Sequence, residues 1–164
     1  MLMRNSCSRD ITHLSITYKD INDDLIIAAI KGKKDEVMIL LSKGANINHR
    51  DNRGMTALVY VLQNGYVEVA ELLIEKGADV NAKNIKDWTP LIIVSKNGNL
   101  KIAERLIEEG ANIYVKDNFN ETVLIHISEN LNKSNEKVKK DKFVQIAYII
   151  IKKWRKIVYI YLYL

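Results

Sequence analysis

The chain has 164 residues, of which 48% are hydrophobic and 27% charged, and its net charge is +5. One Pro and 7 Gly argue against a collagen-like or disordered chain. The single Cys7 cannot form an internal disulfide, so a reducing compartment is expected, with the cytoplasm as the default location. The first 20 residues lack the apolar core of a secretory signal, and no run approaches the roughly 18 apolar residues that a membrane-spanning helix needs.

The first predicted unit follows an N-terminal extension over residues 1–21. Residues 22–50 read as two helices separated by a break at Gly32. The second helix should end at Gly44, because glycine takes the left-handed conformation that stops helices. The sequence therefore opens with a helical hairpin.

The units over residues 51–83 and 84–116 are the most regular. In the second of them, Thr89 is placed to cap a helix and Pro90 fits its first turn. Asn97-Gly98 breaks that helix, and a second helix from about Leu100 to Glu109 ends at Gly110. Each unit is thus helix, turn, helix and a hairpin-like connection.

The period of this pattern is constant. Gly44, Gly77 and Gly110 lie 33 residues apart, and so do the threonines that open the first helices. Recurring phrases that share one period indicate a repeat array, in which stacked units bury the apolar stripes that one unit cannot bury alone. Apolar residues expected in that shared core recur in the first helices: Leu25, Leu58, Leu91 and Leu124.

The fourth unit, residues 117–153, departs from the pattern. Its extra residues form the polar, Lys-rich stretch LNKSNEKVKKDK, which we interpret as a solvated surface loop, with a binding loop as the alternative. The apolar tail over residues 154–164 alternates β-branched and aromatic residues, as a strand does. Three alternatives stay open for it: folding back on the last repeat, self-association with another chain, or the aberrant end of a truncated reading frame.

The unit DNRGMTALVYVLQNGYVEVAELLIEKGADVNAK resembles an ankyrin repeat, and the resemblance extends over residues 22–153. It implies an all-α solenoid of stacked helix-turn-helix units with β-hairpin-like connecting loops. The family's His in the Thr-Pro-Leu-His phrase is replaced by Val59, Ile92 and Ile125, so apolar packing must substitute for its hydrogen bonds. Of the hairpin positions that need positive φ, Asp87 and Asn120 occupy two, and both residue types tolerate it.

The sequence contains few residues that could form a metal site or a catalytic site. His13, His49 and His126 share no metal-ligand spacing with one another or with Cys7. There is no Gly-rich phosphate loop and no nucleophile elbow. We therefore expect no catalytic residues, no metal, no cofactor and no small-molecule substrate, and hence no enzyme.

The ankyrin resemblance implies a partner-binding face built from hairpin tips and first helices. Trp88 and Phe119 stand out on it, because large aromatic residues at exposed tips dominate binding hot spots, although both could instead pack on their own hairpins. Six Lys and Arg residues favour an acidic protein segment as partner, unless they only reflect a Lys-rich composition. Carried over by register, the face comprises Arg50, Asn52, Arg53, Met55, Gln63, Lys83, Ile85, Lys86, Trp88, Lys96, Lys116, Asn118, Phe119 and Glu121.

The sequence thus predicts a non-catalytic protein–protein interaction module, or scaffold, that binds a protein through the concave face of a repeat array. The alternative is binding of nucleic acid or another polyanion through the basic tips. The family also includes proteins that are delivered into other cells as effectors, which is the alternative to a cytoplasmic location.

Overall fold

The structure is a computed structural model that describes residues 20–133 and 137–163. Within these ranges it contains eight helices and no strand. The predicted extension over residues 1–21 lies almost wholly outside the described residues. The helices are α1 (Ile21–Ile30), α2 (Lys34–Ser42), α3 (Ala57–Asn64), α4 (Val67–Glu75), α5 (Pro90–Asn97), α6 (Leu100–Glu108), α7 (Val123–Lys133) and α8 (Lys137–Tyr163).

The helices form four hairpins that stack in chain order. The first helices of successive hairpins contact each other in the order α1, α3, α5, α7, and the second helices in the order α2, α4, α6, α8. A single continuous core lies between these two layers. The all-α repeat solenoid predicted from the 33-residue period is confirmed.

The core positions show how neighbouring hairpins share their apolar stripes. Leu25, Leu58 and Leu91 are fully buried, as the pattern predicts. Val59 and Ile92, which replace the family's His, are also fully buried, so apolar packing fills those positions. In the fourth hairpin the prediction fails, because Leu124 and Ile125 are exposed. Their counterparts are covered by the next hairpin, whereas no described element packs on that side of α7.

The starts of the first helices follow the predicted threonines, with one difference. Thr56 is the N-cap of α3 and its Oγ1 accepts a hydrogen bond from the Val59 amide at 3.4 Å. Thr89 has the same extended conformation before α5, but its side chain makes no capping hydrogen bond, and its buried Oγ1 has no hydrogen-bond partner among the described residues. At that position Pro90, which needs no hydrogen-bond acceptor, supports the helix start instead of the threonine side chain.

The Lys-rich stretch is not the loop that the sequence predicted. α7 extends to Lys133 and α8 begins at Lys137, so most of LNKSNEKVKKDK is helical. Only residues 134–136 separate the two helices, and they lie outside the described residues. The prediction was wrong because Lys, Leu and Glu are good helix formers, and polarity alone does not specify a loop.

The tail is helical as well, which contradicts the strand-like reading of its alternation. α8 continues through Trp154 to Tyr163, so residues 154–163 extend the second helix of the fourth hairpin. A helix that is already formed grows at little cost, and no Gly or Pro interrupts this one. No helix among the described residues has the length and apolarity needed to cross a bilayer.

Candidate functional site: the hairpin-tip face

The hairpin tips are shaped by one acidic or amide side chain per repeat. Asp51, Asn84 and Asp117 occupy the same register, 33 residues apart. The Oδ1 atom of each accepts hydrogen bonds from two backbone amides, two and four residues later, at 2.8–3.0 Å. This Asx-turn geometry fixes each tip without a strand on either side.

The bend of each tip requires a residue with positive φ. Gly54 supplies it with φ 68°, Asp87 with 58° and Asn120 with 63°. The prediction that Asp and Asn would adopt this conformation is confirmed. Their short polar side chains make it less costly than it would be for other non-glycine residues.

Neighbouring tips are joined into a ladder. The Ile85 amide donates to the Arg53 carbonyl oxygen at 3.2 Å, and the Asn118 amide donates to the Lys86 carbonyl oxygen at 3.3 Å. The Asn118 side chain adds a hydrogen bond to the Ile85 carbonyl oxygen at 3.0 Å. The tips therefore form one continuous surface, which we call the hairpin-tip face.

Trp88 is the most tightly held aromatic residue of this face. Its Nε1 donates to Asp117 Oδ2 at 3.0 Å, which ties one repeat to the next. The Nζ atoms of Lys96 and Lys86 lie 4.2 and 5.2 Å from the centre of the Trp88 ring. Ammonium groups at these distances are attracted to the face of an indole ring. Trp88 is half-buried, so its orientation is fixed while part of its ring stays accessible.

Asp117 is the anchor of this arrangement. Its side chain is fully buried, and its Oδ2 lies 3.0 Å from Nε2 of the buried His126. Burial raises the pKa of the Asp117 carboxyl, but hydrogen bonds from the Glu121 and Phe119 amides, Trp88 and His126 outweigh it and leave the pKa below its ordinary value. The carboxylate is therefore ionised at neutral pH despite its burial.

The second repeat has a similar contact between a side chain of its first helix and the carboxylate of its hairpin tip. Tyr60, in the register of His126, donates its hydroxyl to Asp51 Oδ2, and Arg53 donates to the Tyr60 oxygen. Burial and the Asp51 carboxylate raise the pKa of Tyr60. Burial likewise raises the pKa of Asp51, but hydrogen bonds from Tyr60 and from the Met55 and Arg53 amides lower it by more.

A metal ion is a poor fit to the acidic residues around His126. One ligand atom each from Asp117, Glu121 and His126 lies within 4.8 Å of the others. However, Asp117 faces Nε2 of the imidazole, whereas Glu121 lies 3.6 Å from Nδ1. One ion cannot bind both sides of the ring, and both Asp117 oxygens already accept hydrogen bonds. The cluster is better described as a hydrogen-bonded network.

The structure brings most of the predicted face residues to one surface. Ile85 and Phe119 are its most exposed apolar residues, with 65% and 71% of their surface exposed. Met55 does not fit the prediction, because it is only 6% exposed and lies beneath the next hairpin, where Asn84 Nδ2 is 3.6 Å from its sulfur. Trp88, Lys96 and Glu121 are half-buried, and the remaining predicted residues are exposed: Arg50, Asn52, Arg53, Gln63, Lys83, Lys86, Lys116 and Asn118.

The Lys and Arg side chains of the face differ in whether they already contact an acidic side chain, a backbone carbonyl or an aromatic ring. Arg53 lies 3.6 Å from Asp51, and Lys83 lies 3.9 Å from Asp87. Arg50 donates to the Lys83 carbonyl oxygen at 2.8 Å. Lys86 and Lys96 have no acidic partner among the described residues and lie against the Trp88 ring instead. Two cations without an acidic partner among the described residues therefore lie at Trp88.

Sequence reasoning missed the residues that organise the tips. Asp51, Asn84 and Asp117 are not among the residues predicted to bind a partner. The signal was present, because all three follow the same 33-residue register as the glycines. For His126 the sequence indicates only the lack of metal-ligand spacing, since its bond to Asp117 depends on contacts that periodicity does not reveal.

Comparison with known proteins agrees with this geometry. A family model described as "Ankyrin repeats (3 copies)" matches residues 3–84, which is half of the chain, and a model described as "Ankyrin repeats (many copies)" matches residues 65–107. The "Probable E3 ubiquitin-protein ligase XBOS33" of Oryza sativa subsp. japonica is 41% identical over 56 residues. That match covers 34% of this chain and 11% of the rice protein's length.

Proposed function

The chain belongs to the ankyrin repeat family, and from this premise we propose that it is a non-catalytic module that binds a partner protein through the hairpin-tip face. Ankyrin repeats are in general protein–protein interaction modules without catalytic activity. The observation that supports this face most strongly is the fixed orientation of Trp88, which has two lysines against its ring, on the same surface as the exposed Phe119 and Ile85.

The rigidity of the face favours binding. Trp88 is held by Asp117, and Asp117 is held by two backbone amides and His126. A partner therefore meets side chains that are already in place, and less conformational entropy is lost on association. A few residues dominate the affinity in measured protein interfaces, and Trp is one of the residue types enriched among them.

The composition of the face indicates the chemistry of the partner. Exposed apolar side chains at Ile85 and Phe119 require an apolar anchor on the partner, and Lys86 and Lys96 favour carboxylates beside it. We infer that the partner presents an acidic segment with interspersed apolar residues. Nucleic acid fits less well, because Asp51, Asp87 and Glu121 interrupt the positive charge along the tips.

The similarity to the rice protein does not extend this proposal. The aligned 56 residues are a small part of that protein, and the ubiquitin ligase named in its description is a property of the whole protein. We propose no ligase activity for this chain.

The proposal is tested by affinity capture with quantitative mass spectrometry. Ile85→Ser/Phe119→Ser removes two exposed apolar side chains from the face, and Met38→Ser/Ile39→Ser removes two exposed apolar side chains from α2 as the control. We expect partners recovered by the native chain to be retained by the control and lost with the tip variant. Equal recovery by both variants would place binding elsewhere, and recovery of nucleic acid that falls steeply with salt would favour the polyanion alternative.

A further inference from the structure

The last helix differs from the second helices of the inner hairpins. α4 and α6 each have nine residues, whereas α8 has 27. At a rise of about 1.5 Å per residue, α8 is about 40 Å long. Its main contacts with other helices are to α6 and α7, and its buried side chains among the described residues are Phe143, Ile146 and Ile150.

An apolar surface lies where α7 and α8 meet. Ile151 has the register of Ile107, but 44% of its surface is exposed, against 4% for Ile107. Leu124, Tyr114 and Trp154 are exposed around it, and all four residues line one groove. We call these four residues the α7–α8 apolar surface.

This surface lacks the features that join one hairpin to the next inside the stack. Asn48 and Asn81 each accept a backbone amide of the following hairpin, at 2.8 and 2.7 Å. Tyr114 occupies their register and cannot accept in the same way. Trp154 stands where Gly110 ends α6. The α7–α8 apolar surface is therefore not shaped to receive another hairpin of the same kind.

Charge is concentrated on α8. Its sequence contains eight Lys and Arg residues and one acidic residue, Asp141, which gives a net charge of +7. The whole chain has a net charge of +5, so the residues outside α8 sum to −2. The net positive charge of the protein thus resides in this helix and not in the rest of the chain.

Four of the cations lie next to the α7–α8 apolar surface. Lys152, Arg155 and Lys156 are exposed, and none has an acidic partner among the described residues. Lys153 Nζ donates to the Ile107 carbonyl oxygen at 3.0 Å. The following residues 157–163 are Ile, Val, Tyr and Leu only. In the sequence of α8, Trp154 thus lies within a cluster of four cations, and an apolar and aromatic run follows that cluster.

We propose that residues 150–156 of α8, together with the α7–α8 apolar surface, bind the surface of an anionic lipid bilayer. Helices rich in Lys and Arg that also carry Trp and aliphatic residues lie in the bilayer interface, with the cations on anionic headgroups. Trp and Tyr prefer that level of the membrane. A second copy of this chain is a poorer occupant, because face-to-face association would bring two sets of unpaired cations together.

The test uses the full-length chain and vesicles of phosphatidylcholine with about a third of phosphatidylserine, compared with vesicles of phosphatidylcholine alone. We expect the chain to co-sediment with the anionic vesicles only, and less as salt is raised. Lys152→Glu/Arg155→Glu/Lys156→Glu should weaken binding on the order of 100-fold, since each basic residue near an anionic membrane contributes about fivefold. The matched control Lys137→Glu/Lys140→Glu/Lys142→Glu makes the same charge change at the other end of α8 and should retain most of the binding.

Trp154 provides a second readout. Its fluorescence should shift to shorter wavelength with anionic vesicles, and comparison with Trp154→Phe removes the contribution of Trp88, the other tryptophan. Absence of co-sedimentation at low salt, or equal loss with both triple variants, would overturn the proposal. So would a dimer, detected by sedimentation without vesicles, that Trp154→Ser dissociates, because a second copy would then occupy the surface.

Discussion

The indole Nε1 of Trp88 lies 3.0 Å from Asp117 Oδ2, so the main aromatic residue of one hairpin is held by the tip of the next. Asp117 is fixed in turn by backbone amides of its own tip and by His126. The proposed binding face and the stability of the fourth hairpin therefore share one carboxylate. Changes at this carboxylate should affect both properties.

Replacement of Asp117 by Asn isolates the role of its charge. Asn84 shows that Asn in this register keeps both backbone hydrogen bonds of the turn. The variant should therefore keep its tip but weaken the bonds to Trp88 and His126, at a cost of about 1–3 kcal/mol in the free energy of unfolding. Urea unfolding at pH 7 measures this. Asp51→Asn leaves the contact between Trp88 and Asp117 intact, so it serves as the control when the partner affinities of the two variants are compared. A urea midpoint of Asp117→Asn equal to that of the native chain would show that the charge of Asp117 does not contribute to stability.

Acid should destabilise the protein through the same carboxylates. The pKa values of Asp117 and Asp51 are lower in the folded chain than the unfolded value of about 3.9, so the unfolded state binds more protons there. Their contribution to stability is thus present above about pH 4 and is lost as the pH falls through the folded pKa values. Urea midpoints between pH 2 and pH 7 should decline below pH 4, and less steeply in Asp117→Asn. A decline of equal slope in the variant would contradict the assignment.

Two aromatic residues of the face should respond differently to substitution. Because Trp88 is half-buried and hydrogen-bonded, Trp88→Ala should reduce both partner affinity and thermal stability. From the sequence alone we would expect the melting temperature of the Trp88→Ala variant to be nearly unchanged. The hydrogen bond and partial burial of Trp88 in the structure lead us to expect a lower melting temperature instead. Phe119→Ala, at an exposed position, should reduce affinity by more than about tenfold with little change in melting temperature. A large loss of stability in Phe119→Ala would mean that its ring packs on the protein.

The shared core gives a direct test of the stack. Leu73 of α4 is fully buried, so Leu73→Ala should lower the free energy of unfolding by about 2–5 kcal/mol. The exposed Met38 of α2 provides the control, because Met38→Ala should cost less than about 0.5 kcal/mol. A cost below about 1 kcal/mol for Leu73→Ala would contradict the packing between hairpins. Only four hairpins are present among the described residues, so damage to one should spread to its neighbours.

The sequence predicted the inner hairpins well because their signals are local and repeated. Gly77 and Gly110 have φ 84° and 88°, and the helix bounds around Asn97-Gly98 agree with the prediction within one residue. The fourth hairpin was predicted less well. The polar composition of the stretch after Leu131 suits a loop and an exposed helix equally. After Trp154, β-branched and aromatic residues alternate as in a strand, but the helix continues because the preceding residues of α8 already pack on α6 and α7.

The candidate face was predicted by register, and its internal organisation was not. Repeats place Ile85, Trp88 and Phe119 at tips wherever the 33-residue period holds, so their common surface follows from the sequence. The burial of Met55 and the bond from Trp88 to Asp117 depend on how closely adjacent tips approach. That spacing is a property of the stack, which a single repeat does not encode.

Site-specific photo-crosslinking tests the binding claim most directly. A photoreactive phenylalanine analogue is placed at Phe119, or at the exposed Ile39 of α2 as the control, and crosslinked proteins are identified by mass spectrometry. The account predicts that position 119 captures a specific protein, that the crosslinked segment is acidic with apolar residues, and that position 39 does not capture it. Capture of the same protein from position 39 but not from position 119 would contradict the assignment of the hairpin-tip face.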